Sequence, residues 1–249
     1  MSKRLHIVVP YRGRPEQLSA FLRHINVYFA RDKADRGIDY CVSIIEQEEG
    51  LPFNRGALLD IGFLLREKTS DYTCFHDVDY LPVWADYSWA ELPMALVWYG
   101  AERRPVAPGR SEIHIQHNLE HFVGGALLVP NGLFRRINGY ATAYWGWGYE
   151  DIDLTHRLAA ANLRWSRRKG TFTPLDHDSH GFDIQGSPTS AAVANLELYQ
   201  KRWSPGAAVT EDGLSTLNYR VLAREPIQPM QTPEREAPYE RIVVALTRD

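Results

Sequence analysis

The order of apolar runs and helical stretches in the first third of the chain constrains its fold most. Leu5 to Val9, Ile38 to Ile45 and Tyr72 to Phe75 are short runs of strand length, rich in β-branched and aromatic residues. Between them, Pro15 to Ala30 carries Leu18, Phe21, Leu22 and Ile25 at helical spacing, and Arg55 to Glu67 carries Leu58, Leu59, Phe63 and Leu64. Strand, helix, strand, helix, strand in that order is the pattern of an α/β domain. In open α/β sheets ligands bind outside the carboxyl ends of the strands. The residues that follow each apolar run are therefore the first candidates for function.

The rest of the chain continues the theme. Met94 to Tyr99 and Phe122 to Val129 read as strands separated by a polar Pro/Gly/His segment, and Leu81-Pro82 is followed by a Trp-rich loop. Asn131 to Asn138, Glu150 to Asn162 and Thr189 to Arg202 read as helices, the second with Leu154, Leu158 and Ala161 along one face. Arg241 to Leu246 is a closing strand. With no linker-like stretch before about residue 220, residues 1–249 are expected to form one domain, with 225–240 an irregular Pro/Glu-rich segment.

Charge narrows the partners. The net charge is −3 and the basic residues are scattered, so a nucleic-acid footprint is not expected, and a small molecule or a glycan fits better. Cys41 and Cys74 are the only cysteines, each inside an apolar run, which points to a reducing compartment rather than a disulfide framework. MSKRLHIVVPYRGR is apolar for too few residues to be a signal core or a membrane span. The expected compartment is cytoplasmic, unless the chain is a trimmed piece of an anchored protein.

Two motifs carry chemistry. His76-Asp77-Val78-Asp79 ends the third apolar run, and an Asp-x-Asp there is placed to hold a divalent cation against a diphosphate, although such a pair also occurs as a solvated turn. A partner segment is Asp176-His177-Asp178-Ser179-His180. Two imidazoles and a carboxylate suit manganese better than magnesium. A rival cluster, His114, His117 and His121, has the spacing of a helix turn but no evident carboxylate. Arg12, Arg14 and Arg55 each follow a strand-to-loop transition and suit a nucleotide diphosphate, with Phe53 as a stacking face.

The second motif is Trp145 to Asp153, WGWGYEDID. Its glycines make a flexible loop, its tryptophans suit a lid over a sugar, and the carboxylates at its base fall in the first turn of a helix. A carboxylate there can take the proton from an acceptor hydroxyl, and Asp151 is the expected base.

In their order these motifs resemble the β-1,4-galactosyltransferase family, glycosyltransferase family 7. The stretches that carry the resemblance are VVPYRGRPEQL, FNRGALLDIGF, DYTCFHDVDYLP, FVGGALLVP, INGY with YWGWGYEDIDL and HRL, HDSH, and DGLSTLNYRVL, spanning residues 7 to 222. HDVD, FVGG and the two-histidine segment look most like the xylosylprotein galactosyltransferase branch. The resemblance implies a GT-A fold with a mixed central sheet flanked by helices. It implies an inverting displacement on a UDP-sugar donor with Mn2+, UDP-galactose first, towards a glycan or glycoside hydroxyl. The alternatives are a UDP-GalNAc- or UDP-glucose-using relative and a non-catalytic nucleotide-sugar- or glycan-binding module.

Residue by residue, it implies that Asp79 binds the metal with His177 and His180, and that Pro10, Arg12, Arg14, Phe53, Arg55, Asp77 and Val78 hold the donor's uridine diphosphate side. Gly124 and Gly125 would line the donor pocket, Trp147 would be the lid, and Glu150 would contact the galactose. Asp151 would be the base, with Trp147 and Gly148 beside it at the acceptor. Two residues depart from the pattern: Ile152 replaces a family carboxylate on the acceptor side, and Phe122 replaces a tyrosine near the donor sugar.

Overall fold

A computed structural model of the chain describes residues 3–107, 110–117, 123–175, 181, 187–205, 211–227 and 239–248, with backbone alone for 32–35 and 99–117. In chain order the elements are β1 (Arg4–Tyr11), α1 (Pro15–Arg36), β2 (Asp39–Gln47), α2 (Arg55–Arg66), β3 (Tyr72–His76), β4 (Tyr80–Trp84), β5 (Met94–Ala107), β6 (Arg110–His117), β7 (Ala126–Pro130), α3 (Asn131–Arg136), α4 (Glu150–Ala160), β8 (Ser166–Pro174), α5 (Ser190–Arg202), β9 (Tyr219–Pro226) and β10 (Tyr239–Leu246).

The strands form one mixed ten-stranded sheet in the order β4-β8-β5-β7-β3-β1-β2-β10-β9, with β6 paired to β5. β3, β1, β2 and β10 are mutually parallel. Because β1 lies between β2 and β3, the chain moves one way to make β2 and then crosses back over β1 to make β3. The two crossing helices must then cover opposite faces. Alternate residues of β1 record this: Leu5, Ile7 and Val9 pack with Phe21, Ile25 and Phe29 of α1, whereas Val8 packs with Leu58, Leu59 and Ile61 of α2. The carboxyl ends of β1 and β3 therefore flank a topological switch point, the place where such sheets open a crevice.

α2 begins with Asn54, whose side chain accepts from the Ala57 backbone N–H at 2.9 Å and caps the first turn. α4 begins without a side-chain cap, after Tyr149 in a left-handed conformation, and carries Glu150, Asp151 and Asp153 in its first turn.

The structure corrects several expectations. Leu81-Pro82 lies in β4, which runs on through Trp84 and so takes in the start of the expected Trp-rich loop. After Tyr99 the chain forms the β5–β6 hairpin, so His114 and His117 lie in a strand and not on a helix turn, and His121 lies outside the described residues. β7 starts only at Ala126, after Gly124 and Gly125, and Phe122 lies outside the described residues. β8 and β9 have no apolar periodicity to read, since β8 is largely polar and β9 is an edge strand exposed along most of its length. Glu225 and Pro226 close β9, and Tyr239 and Glu240 open β10.

Candidate active site

The turn after β3 is fixed from several sides. The Asp77 N–H donates to the Gly125 carbonyl at 2.8 Å, and the Gly125 N–H donates to Asp77 Oδ2 at 3.2 Å. Gly125 has φ +76 and a Cβ there would lie 2.9 Å from Val97, so glycine is required for this approach. Val78 is 4 % exposed and its side chain packs in the core, between the two acids of the turn. Pro10 is likewise buried in β1.

Two arginines bridge onto this turn. Arg14 donates to Asp79 Oδ2 at 2.9 Å. Arg55 donates through Nε to Asp77 Oδ1 at 2.7 Å and through Nη1 to Glu150 Oε1 at 3.3 Å, so one guanidinium ties the β3 turn to the first turn of α4. Its side chain is only 14 % exposed, which strengthens both pairs relative to surface ones. Arg12 sits 5.4 Å from the Phe53 ring centroid and donates to the Leu51 carbonyl at 2.6 Å. An open cavity of about 520 Å³ lies against Arg12, Gly13, Glu49, Gly50, Leu51 and Pro52.

The electrostatics follow from crowding acids at a buried helix start. Burial first, and then the neighbouring Asp151, raise the Glu150 carboxyl against the opposing pull of Arg55, leaving it at about 7. Burial also raises Asp151, with Arg55 and the Ile152 backbone pulling it down and Asp77 pushing it up. Asp77, Arg55, Glu150 and Asp151 thus form one electrostatic cluster at the switch point.

The tryptophan loop leads directly into α4. Gly146 and Gly148 have φ +88 and +94, and Tyr149 has φ +75. The Gly146 N–H donates to the Phe53 carbonyl at 2.7 Å. Asn195 of α5 donates to the carbonyls of Trp145 and Trp147 at 3.1 and 2.9 Å. Trp147 is 42 % exposed, and its ring lies so close to Gly181 that a Cβ there would be 2.5 Å away.

His177 and His180 lie outside the described residues, but both flanks of their segment are placed. On one side, Leu175 donates its N–H to the Asp79 carbonyl at 2.6 Å. On the other, Gly181 meets Trp147 and its carbonyl accepts from the Thr189 N–H at 2.9 Å. The two described flanks, Leu175 and Gly181, thus lie against the Asp79 turn and the tryptophan loop respectively. Among the described residues, no group of three His, Cys, Asp or Glu side chains is placed to hold a metal ion.

Several supporting residues escape a reading of the sequence. Asp153, 1 % exposed, accepts from Tyr144 Oη and Trp203 Nε1 at 2.9 Å and from Arg157 Nε at 2.8 Å. Asp212 accepts from the Thr142 and Ala143 N–H groups at 2.9 and 3.1 Å. Asp60, buried in α2 and held above the usual carboxylate range by that burial, accepts from the Tyr140 N–H at 2.9 Å. Together they set the path of the chain into the tryptophan loop. Their visible sign was only membership of the quoted motifs FNRGALLDIGF, YEDID and DGLST.

The sequence profile described as the N-terminal region of glycosyl transferase group 7 matches residues 1–88, and that described as the N-terminal domain of galactosyltransferase matches residues 104–180. The chain belongs to glycosyltransferase group 7. Human beta-1,4-galactosyltransferase 7 is 30% identical to this group 7 chain over 222 residues, 89% of this chain and 62% of that protein. The xylosylprotein 4-beta-galactosyltransferase of Caenorhabditis elegans is 30% identical over 171 residues, 68% of this chain and 55% of that protein. The chain thus spans less than two thirds of the length of these relatives. The catalytic domain of Drosophila beta-1,4-galactosyltransferase 7, solved with xylobiose, superposes with a TM-score of 0.75 at 25% identity, covering 99% of this chain and 95% of that one. A mutant of the Drosophila enzyme, solved with manganese, UDP-Gal and xylobiose, gives 0.74 at 25% identity, with the same coverage of each chain. The fold is GT-A. No helix among the described residues is long and apolar enough to cross a membrane.

Proposed function

We propose that the chain transfers galactose from UDP-galactose to a hydroxyl of a glycan or glycoside acceptor, with inversion at the anomeric carbon, and that residues 1–249 act as one catalytic domain. The observation that carries this is the Arg55 bridge, which joins the Asp77 turn to Glu150 and so puts a diphosphate-side carboxylate and the acids of α4 into one site. The matches to beta-1,4-galactosyltransferases over most of the chain support the same chemistry.

In this reading the acceptor oxygen attacks the anomeric carbon as the bond from that carbon to the diphosphate oxygen breaks, and UDP departs with the bonding pair. Asp151 takes the acceptor's proton, a role its raised pKa favours because the base then works closer to neutral pH. Glu150 faces the donor sugar, Arg12, Phe53 and the cavity beside them take the nucleotide end, and Arg14 and Arg55 take the diphosphate. A carboxylate from Asp79 with imidazoles from His177 and His180 would suit a borderline cation, and the Leu175 N–H bond to the Asp79 carbonyl supports bringing that segment to the turn. When bound, Mn2+ supplies charge stabilisation to the leaving diphosphate. Trp147 and Gly148 cover the acceptor side, where Ile152, 40 % exposed, offers an aliphatic surface next to Asp151. A reducing compartment suits the two buried, unpaired cysteines.

The test is UDP release by the purified chain with Mn2+ or EDTA, across UDP-galactose, UDP-GalNAc, UDP-glucose and UDP-GlcNAc and a panel of glycoside acceptors. Metal-dependent, acceptor-stimulated turnover with UDP-galactose is expected. Manganese-dependent UDP binding without turnover of any donor would instead indicate a binding module.

A further inference from the structure

His76 is wholly buried, titratable and absent from the reaction as written. Its ring is wedged among Phe21, Tyr87 and Phe172, with centroid separations of 5.3, 6.0 and 6.0 Å. A phenylalanine would fill that space equally well, so packing alone does not explain an imidazole.

Its hydrogen bonds do. Nδ1 lies 2.9 Å from the Asp77 carbonyl oxygen, which can only accept, so Nδ1 carries the proton. Nε2 is then an acceptor, and it lies 2.9 Å from the Tyr87 hydroxyl, which donates to it. Tyr87 is itself held, since its carbonyl accepts from Tyr72 Oη at 2.9 Å. The result is a directed chain from the core, through Tyr87 and His76, to the backbone of the Asp77 turn. Burial lowers the ring pKa to about 4, so one neutral tautomer persists at neutral pH. The other bond to the same carbonyl, from the Tyr80 N–H, is longer at 3.3 Å.

We propose that His76 is a positioning residue: by holding the Asp77 carbonyl it sets the pitch of the Asp77–Val78–Asp79 turn, and so the aim of both carboxylates towards the diphosphate and its cation. This rests on the donor-site reading of Asp77 and Asp79 given above. Turn geometry matters at this scale, because binding groups must be held to within about 0.5 Å of the productive arrangement.

The test is manganese-dependent UDP binding by calorimetry on the full chain, with melting curves to establish that each variant is folded at the assay temperature. His76→Phe keeps the packing and removes the bond, and is expected to weaken UDP binding about three- to tenfold, the equivalent of one hydrogen bond. His76→Asn places an amide N–H where Nδ1 stood, and should bind UDP within about twofold of the native chain even though it leaves a larger void and melts lower. Tyr87→Phe, which removes one hydroxyl, should weaken binding about two- to threefold. It remains informative if neither His76 variant folds. Native-like UDP affinity in His76→Phe, equal losses in Phe and Asn, or no change in Tyr87→Phe would each overturn the proposal. Asp79→Asn separates it from the reading beneath it: UDP binding that stays manganese-dependent in that variant refutes the donor site, whatever the His76 variants do.

Discussion

Arg14 donates to Asp79 Oδ2 at 2.9 Å, so the carboxylate proposed as a cation ligand already has a guanidinium partner. Cation and guanidinium compete for the same oxygens, while the diphosphate would attract both.

Replacing Arg14 with Gln should therefore move two affinities in opposite directions. Mn2+ alone should bind about two- to fivefold more tightly, the range of a partly exposed ion pair, and UDP should bind more weakly. Calorimetry with each ligand separately checks this. A parallel loss of both would show that Arg14 supports the cation rather than competing with it.

Asp151→Asn keeps shape and removes basicity. Transfer should fall by at least about a hundredfold, with UDP affinity changed by no more than about twofold. Loss of UDP binding in this variant would remove Asp151 from the base role and make it a donor contact.

Glu150 gives a pH signature. Its folded pKa of about 7 lies above an unfolded value of ~4.3, so the neutral carboxyl is the form the fold prefers. That stability is fully present below about pH 4 and is lost as pH rises through about 7. Glu150→Gln mimics the neutral form, so its melting temperature should exceed that of the native chain at pH 8 and approach it at pH 4.5. The gain should be about 2–4 °C per kcal/mol in a chain of this size. Asp151 is raised as well and must lose its proton to act, so kcat/KM should climb with pH towards neutrality.

Asn195 joins α5 to two carbonyls of the tryptophan loop. Asn195→Ala should cost about 1–3 kcal/mol, because two partly buried acceptors lose their donor. Tryptophan emission should also become more open to acrylamide quenching. Unchanged quenching with lowered stability would mean that the loop is held by its other contacts.

How far the sequence could be read depended on burial. The parallel block was legible because β1, β2 and β3 are buried on both faces and so appear as continuous apolar runs. β4, with Val83 and Trp84 exposed, and β9, exposed along most of its length, sit at the sheet's ends and carry no such run. The candidate site was legible at residues that present charge after a strand, such as Arg55 and Asp77. It was not legible at Asp60, Asp153 and Asp212, whose work is to accept hydrogen bonds from chain far away in sequence.

β10, residues 239–246, is the parallel neighbour of β2, residues 39–47. On the ribosome, roughly two hundred residues must emerge before the hydrogen-bonding edge of β2 finds that neighbour. Until then Val42, Ile44 and Ile45 border an open strand edge of the kind that recruits other chains. Recombinant yield should accordingly depend more on an intact β10 than on any residue that touches substrate.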